Sequence, residues 1–145
     1  LDRSRFASAA GVARGGYVLL DPPAGSPQVI LLGTGSEVGI CLAAQEILAA
    51  EGIAARVVSM PCFELFDVQE AAYRDTVLPP AITARVGVEA GIVMGWEKYL
   101  GPRGRFVGMR DFGASGPFEE LYARSGIPAK AVAGQAQATL RMVGT

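Results

Sequence analysis

Between the apolar run PQVILLG and a second apolar stretch lies Gly33-Thr34-Gly35-Ser36-Glu37-Val38-Gly39, the segment whose residue types come closest to a ligand-binding loop. A glycine-rich turn from a strand into a helix presents backbone amides at the positive end of the helix dipole, where a phosphate or carboxylate can sit. The spacing does not extend to a dinucleotide site. The third glycine of G-x-G-x-x-G would stand at Val38, and the acid expected at the end of the next strand is replaced by Ser59-Met60-Pro61. No Gly-Lys-Ser/Thr triplet offers a phosphate loop. Two readings remain: an ordinary turn plus helix cap, in which Glu37 competes for the same amides, or a weak anion site.

Other candidates for chemistry are sparse. The chain has no histidine, which removes the side chain suited to proton transfer near neutral pH and the commonest metal ligand. Glu37, Glu64, Asp67, Glu89 and Asp111 do not form an acid/base pair, because no spacing sets two of them on one element beside a nucleophile. Caps and solvated faces account for most of them. Glu89 stands apart: it ends a buried-looking strand, where an acid must find a partner or shift its pKa. Cys41 and Cys62 form no CxxC pair, so neither a zinc site nor a disulfide framework is indicated, and two buried thiols are expected.

At 145 residues, half of them hydrophobic, the chain is large enough for one domain with its own core. A net charge of −1 with 19% charged residues gives no basic footprint for a nucleic-acid backbone. No apolar run reaches the length of a spanning helix, and residues 1–15 show no basic stretch followed by an apolar one. The expected setting is soluble and cytoplasmic, without nucleic-acid or membrane partners. Leu1 is not an initiator methionine, and residues 1–15 read as a Ser/Ala/Gly/Arg linker remnant from an upstream domain, with the domain proper at 16–145.

The elements that must position these residues follow from the apolar pattern. GYVLLD, PQVILLG, ARVVSM, ARVGVEA and RFVGM read as strands, with helices after each of the last four. That is the βαβ rhythm of a largely parallel sheet covered on both faces. Only DPPAGS separates the first two strands, too little for a parallel crossover, so the first strand is predicted antiparallel at an edge. The predicted fold is a three-layer α/β/α sandwich on a five-stranded mixed sheet. Thr34 with Glu37 and Asp67 with Glu70 have capping-box spacing. Pro117 and Pro128 sit where a first helical turn tolerates proline. The helix from Ser36 to about Ala50 is apolar nearly all round and must be covered on more than one side, whereas Val132, Ala136, Leu140 and Val143 give the last helix one stripe.

Two groups of aromatics fall on loops: Phe63 and Phe66 in MPCFELF, and Trp96 and Tyr99 in GWEKYLG. Loop aromatics are enriched at interfaces, so these four are candidates for an interdomain surface, with local packing as the alternative. FGASGPFEELY reads as a strand-to-helix turn in which Gly113 and Gly116 free the backbone and Ser115 or Gly116 caps a helix.

RVVSMPCFELFDVQEAAYRDTVLP, from Arg56 to Pro79, together with GTGSEV before it and FGASG after it, resembles the C-terminal domain of transketolases. The resemblance runs from Gly16 to the last helix and implies strand order 1-3-2-4-5. The chain would then reverse between the second and fourth strands, making a crevice walled by Thr34, Gly35, Ser36, Glu89 and Ala90 the candidate ligand site. It further implies a parent enzyme that moves a two-carbon ketol unit between sugar phosphates at a homodimer interface. Thiamine diphosphate and magnesium or calcium would be bound by domains absent here. The cofactor motif beginning GDG has no counterpart, so the resemblance assigns no catalytic, cofactor or metal residue to this chain. Its implied part is packing against upstream domains of the same polypeptide and support of the dimer. The alternatives are a regulatory small-anion module using the crevice, or the same domain of a sister enzyme such as a formaldehyde-using transketolase or deoxyxylulose-phosphate synthase.

Overall fold

The computed structural model describes residues 6–108 and 128–144. The FGASGP segment, with Arg110, Asp111, Gly113, Ser115, Gly116 and Pro117, lies outside the described residues. Five strands form one sheet: β1 Tyr17–Leu20, β2 Val29–Gly33, β3 Ala55–Ser59, β4 Arg85–Val88 and β5 Arg105–Val107, in the order β1-β3-β2-β4-β5. β1 is antiparallel to β3, and the other pairings are parallel. Both the order and the antiparallel first strand match the sequence expectation. The short β1–β2 link leaves no room for a crossover helix.

Side chains alternate across this sheet and feed two separate cores. Val29, Leu31, Val57, Val86 and Val88 point to one face, where they meet helix α1 (Glu37–Ala50) and helix α5 (Ala129–Val143). Ile30, Leu32 and Val58 point to the other, against α2 (Phe63–Asp67), α3 (Ala71–Val77) and α4 (Glu97–Leu100). Complete burial of an aliphatic side chain of this size contributes about 2 kcal/mol, so the central strand alone accounts for a large share of the core. α1 packs on β2 and β3 with one side and on α5 with another, as its broad apolar surface requires. α5 buries Val132, Ala133, Ala136 and Thr139, while Leu140 and Val143 are partly covered. Gly87 gives room to the second core: a Cβ there would meet the Trp96 ring at 3.1 Å and Leu100 at 3.2 Å.

Three local expectations are corrected. Helix α1 begins at Glu37 with Ser36 at the cap position, so Thr34 is two residues too early to cap it, and its carbonyl instead accepts from the Glu37 amide at 3.1 Å. Asp67 closes α2, and α3 starts at Ala71 behind Glu70, so the second capping box does not form either. Pro128 stands at the cap of α5, one position ahead of the first turn. Of the two thiols, Cys41 is buried but Cys62 is half-exposed. Residues 9–14 form a 3-10 helix packed on α2, and the Ala7 amide donates to the Leu19 carbonyl at 3.1 Å, so this segment lies on the domain from Phe6 onward.

Arg85 joins the sheet to the lower helical layer. Its guanidinium donates to the carbonyls of Tyr99 (2.7 Å), Ile82 (2.9 Å), Pro79 (3.0 Å) and Leu78 (3.2 Å). The Pro79 carbonyl also accepts from the Ile82 amide at 3.0 Å, while those of Leu78, Ile82 and Tyr99 lie at helix ends and a turn where the helical ladder supplies no donor, so one cation gathers acceptors from the α3–β4 turn and the end of α4. Desolvation lowers the Arg85 pKa from the usual arginine value. Arg85→Met strands the Leu78, Ile82 and Tyr99 carbonyls and is expected to lower stability by about 3 kcal/mol, since each buried unsatisfied group costs about 1–3 kcal/mol. Urea denaturation measures it, and a loss too small to resolve would show that water takes over the carbonyls.

Candidate functional site

The candidate site lies where the chain order reverses, between β2 and β4. Gly33 pairs with Val88 at the end of the β2–β4 ladder, so Thr34 and Glu89 leave the sheet side by side. Thr34 and Glu89 are half-buried, while Gly35, Ser36 and Ala90 are exposed. The five residues expected together are therefore brought to one edge. Gly33 allows the tight passage from strand to helix: a Cβ there would lie 2.9 Å from Cys41 Sγ and 3.1 Å from the Val38 amide nitrogen.

The crevice already carries negative charge. Glu37, only 5% exposed, accepts from the Ser36 hydroxyl at 3.0 Å, and its Oε2 lies 3.8 Å from where a Gly35 Cβ would stand. The carboxylate thus turns back over the loop at the positive end of α1, the position an incoming anion would take. Beneath it, burial and then the charge of Glu37 push the Cys41 thiol well above its ordinary range, so it stays protonated. Glu89 has found its partner: its Oε2 accepts from the Trp96 indole nitrogen at 2.6 Å. Arg85, the nearest cation in sequence, is committed to carbonyls instead.

The four candidate interface rings are packed inward. Trp96, Phe66 and Tyr99 are 0%, 2% and 5% exposed, and Phe63 is half-buried against them. Phe63 meets Trp96 edge to face at 5.0 Å and Tyr99 at 4.7 Å, so it ties α2 to α4. Of the two readings, burial favours local packing over an exposed surface, because Gly87 opens a slot for Trp96 and the rings bury one another. The exposed large apolar side chains among the described residues are others: Ile92, Val93 and Met94 on the loop after β4, Leu65 and Val68 around α2, and Val12 and Met142 singly. The Gly91-to-Gly95 punctuation around the first three was the available signal, since glycines at both ends of a short apolar run mark a loop.

Polar groups near these rings fasten the helices to each other. Asp67 accepts from the Tyr99 hydroxyl at 2.8 Å and pairs with Lys98 at 2.6 Å. Glu64 accepts from the Cys62 thiol at 3.3 Å, and hydrogen bonds from its own backbone and from Cys62 hold its carboxyl below the usual range. Among the described residues no group of three His, Cys, Asp or Glu is placed to hold a metal ion.

A family model for the transketolase-like TK C-terminal domain matches residues 15–128. The chain belongs to that family. It is 53% identical to transketolase 1 of Escherichia coli (strain K12) over 131 residues, which is 90% of this chain and 20% of that protein. Among solved structures, transketolase from Leishmania mexicana superposes with a TM-score of 0.84 at 40% identity, over 94% of this chain and 19% of its own. Transketolase from Pichia stipitis in complex with sedoheptulose-7-phosphate gives 0.86 at 31% identity, over 97% and 20%. The chain thus spans about a fifth of the length of these relatives. The strand order of this transketolase C-terminal domain is the one its sequence motifs implied, and the antiparallel first strand is the one its short link implied.

The Asp67 contacts predict a pH dependence. Burial acts to raise its pKa, but the bonds from Lys98 and Tyr99 outweigh this and leave it lowered from the model-compound value of 3.8. A carboxylate with a depressed folded pKa adds stability above its unfolded value and loses it as pH falls through the folded one. The native chain should therefore lose stability relative to Asp67→Asn between about pH 5 and pH 2. Because the pair is solvent-accessible, the difference should stay within about 1 kcal/mol. Parallel pH-dependent unfolding curves for the two proteins would show this chain without the linkage.

Proposed function

We propose that this chain serves as the C-terminal domain of a transketolase, a cytoplasmic enzyme that transfers a two-carbon ketol unit between sugar phosphates. In this reading residues 16–145 are the domain and residues 1–15 lead into it from preceding domains. Thiamine diphosphate and magnesium or calcium supply the carbanion chemistry when bound elsewhere in the polypeptide. The residues here do not fit the cofactor: the one loop suited to a diphosphate is faced by the Glu37 carboxylate, with Glu89 on the adjoining strand end. The observation that carries the proposal is the close superposition on whole transketolases over nearly all of this chain but a fifth of theirs.

The domain's part is packing against its neighbours and support of a homodimer. The surfaces suited to it are Ile92, Val93 and Met94, with Leu65 and Val68, because these apolar side chains gain from being covered while the aromatic rings are already satisfied. The crevice is no better than a weak anion site, since an incoming anion must displace or neutralise the Glu37 carboxylate.

The isolated chain should show no ketol transfer from ketose to aldose phosphates in the presence of thiamine diphosphate and magnesium. Grafted in place of the corresponding segment of Escherichia coli transketolase 1, it should restore an active enzyme. A soluble, correctly sized graft without activity would refute the proposed domain role, and turnover by the isolated chain would refute the division of labour.

A further inference from the structure

At the opposite end of the sheet from the crevice, a cavity of about 490 Å³ opens between α1, the end of β1 and the start of β3. That volume suits a small organic ligand. One wall is a single stripe of α1, Leu42, Gln45, Glu46 and Ala49, and the other includes Leu20 and Ile53. Its polar equipment is one-sided. Gln45 is 6% exposed, and its amide nitrogen is committed to the Ala55 carbonyl at 2.7 Å, which leaves the side-chain oxygen to offer. Glu46 is exposed and makes no ion pair among the described residues, and Asp21 uses Oδ1 for Arg56 at 2.6 Å, leaving Oδ2. Pro22 and Pro23 in the wall carry no N–H, and no lysine or arginine lines the cavity. The cavity also lies at the carboxyl end of a 14-residue helix, where the dipole adds negative potential.

We propose that this cavity binds an organic cation: a protonated amine on a compact apolar body. The ammonium group sits toward Glu46 and Asp21 with the Gln45 carbonyl as a further acceptor, and the hydrocarbon lies on Leu20, Leu42 and Ile53. An amide whose nitrogen is anchored on the Ala55 carbonyl, beside two carboxylates in the same lining, rewards a ligand that brings donors and charge. An anion would face the Glu46 and Asp21 carboxylates with no cationic side chain in the lining, and a neutral hydrocarbon would cover the Gln45 oxygen without offering it a donor.

The test uses isotope-labelled chain titrated with phenethylammonium, 2-phenylethanol and phenylacetate. The amine should produce saturable shifts of the Gln45 side-chain amide and the Leu42 and Ile53 methyls, with the alcohol about tenfold weaker and the carboxylate weaker still. Glu46→Gln should raise the Kd about threefold to fivefold, as expected for one accessible charge pair. Ala49→Phe, at an exposed position, should occlude the cavity and abolish the shifts while thermal unfolding stays cooperative. Equal affinity for alcohol and amine, shifts that do not saturate, or a Kd indifferent to both substitutions would each overturn the proposal.

Discussion

The whole architecture rests on the burial of β2. Val29, Ile30, Leu31 and Leu32 have no solvent exposure, and the strand is flanked by β3 on one side and β4 on the other. A strand with apolar side chains on both faces is stable only when both faces are covered, so two helical layers follow from four consecutive residues. Parallel neighbours need crossovers, and each crossover supplies a helix to one layer or the other. β1 is excluded from that scheme by its short link and takes the antiparallel edge position. The same constraint gathers the ends of β2, β3 and β4 on one side, which is what sets Thr34 and Glu89 side by side.

Polar side chains in this domain serve mainly to finish what the strands and helices leave open. Arg85 gathers four carbonyls, Gln45 holds the Ala55 carbonyl, Glu89 takes the indole N–H of Trp96, and Asp67 takes the Tyr99 hydroxyl. Aromatic rings that carry a polar tip can be buried only when that tip finds an acceptor. Glu89 and Asp67 are those acceptors, and they explain why residues in loop-like sequence end in the core.

This economy bears on function. The acids that looked available for chemistry are absorbed: Glu37 by its own loop and helix, Glu89 by Trp96, Asp67 by Tyr99 and Lys98. A domain whose carboxylates are spent internally is suited to supporting a site carried by its neighbours. Its unspent features are the apolar loop Ile92 to Met94 and the acceptor-rich cavity beside α1, which lie on different ends of the sheet.

The sequence by itself determined the strand list, the antiparallel first strand and the layering, because apolar runs with short links permit few topologies. The strand order and the family came from GTGSEV, RVVSMPCFELFDVQEAAYRDTVLP and FGASG, whose order and spacing local physics does not predict. Helix starts were legible only to within two residues. Capping spacing is common by chance, and which residue caps depends on where packing begins the helix, as Ser36 and Glu70 show. Tertiary structure alone decided the fate of the side chains. Whether Trp96 faces a neighbour or the core turns on Gly87 and Glu89, from a different element, leaving a slot and an acceptor for it. The cavity was invisible for the same reason: its walls come from separate segments, Phe6, the stretch 20–24 and the stretch 42–55, and a concavity is a property of what fails to fill the space between them.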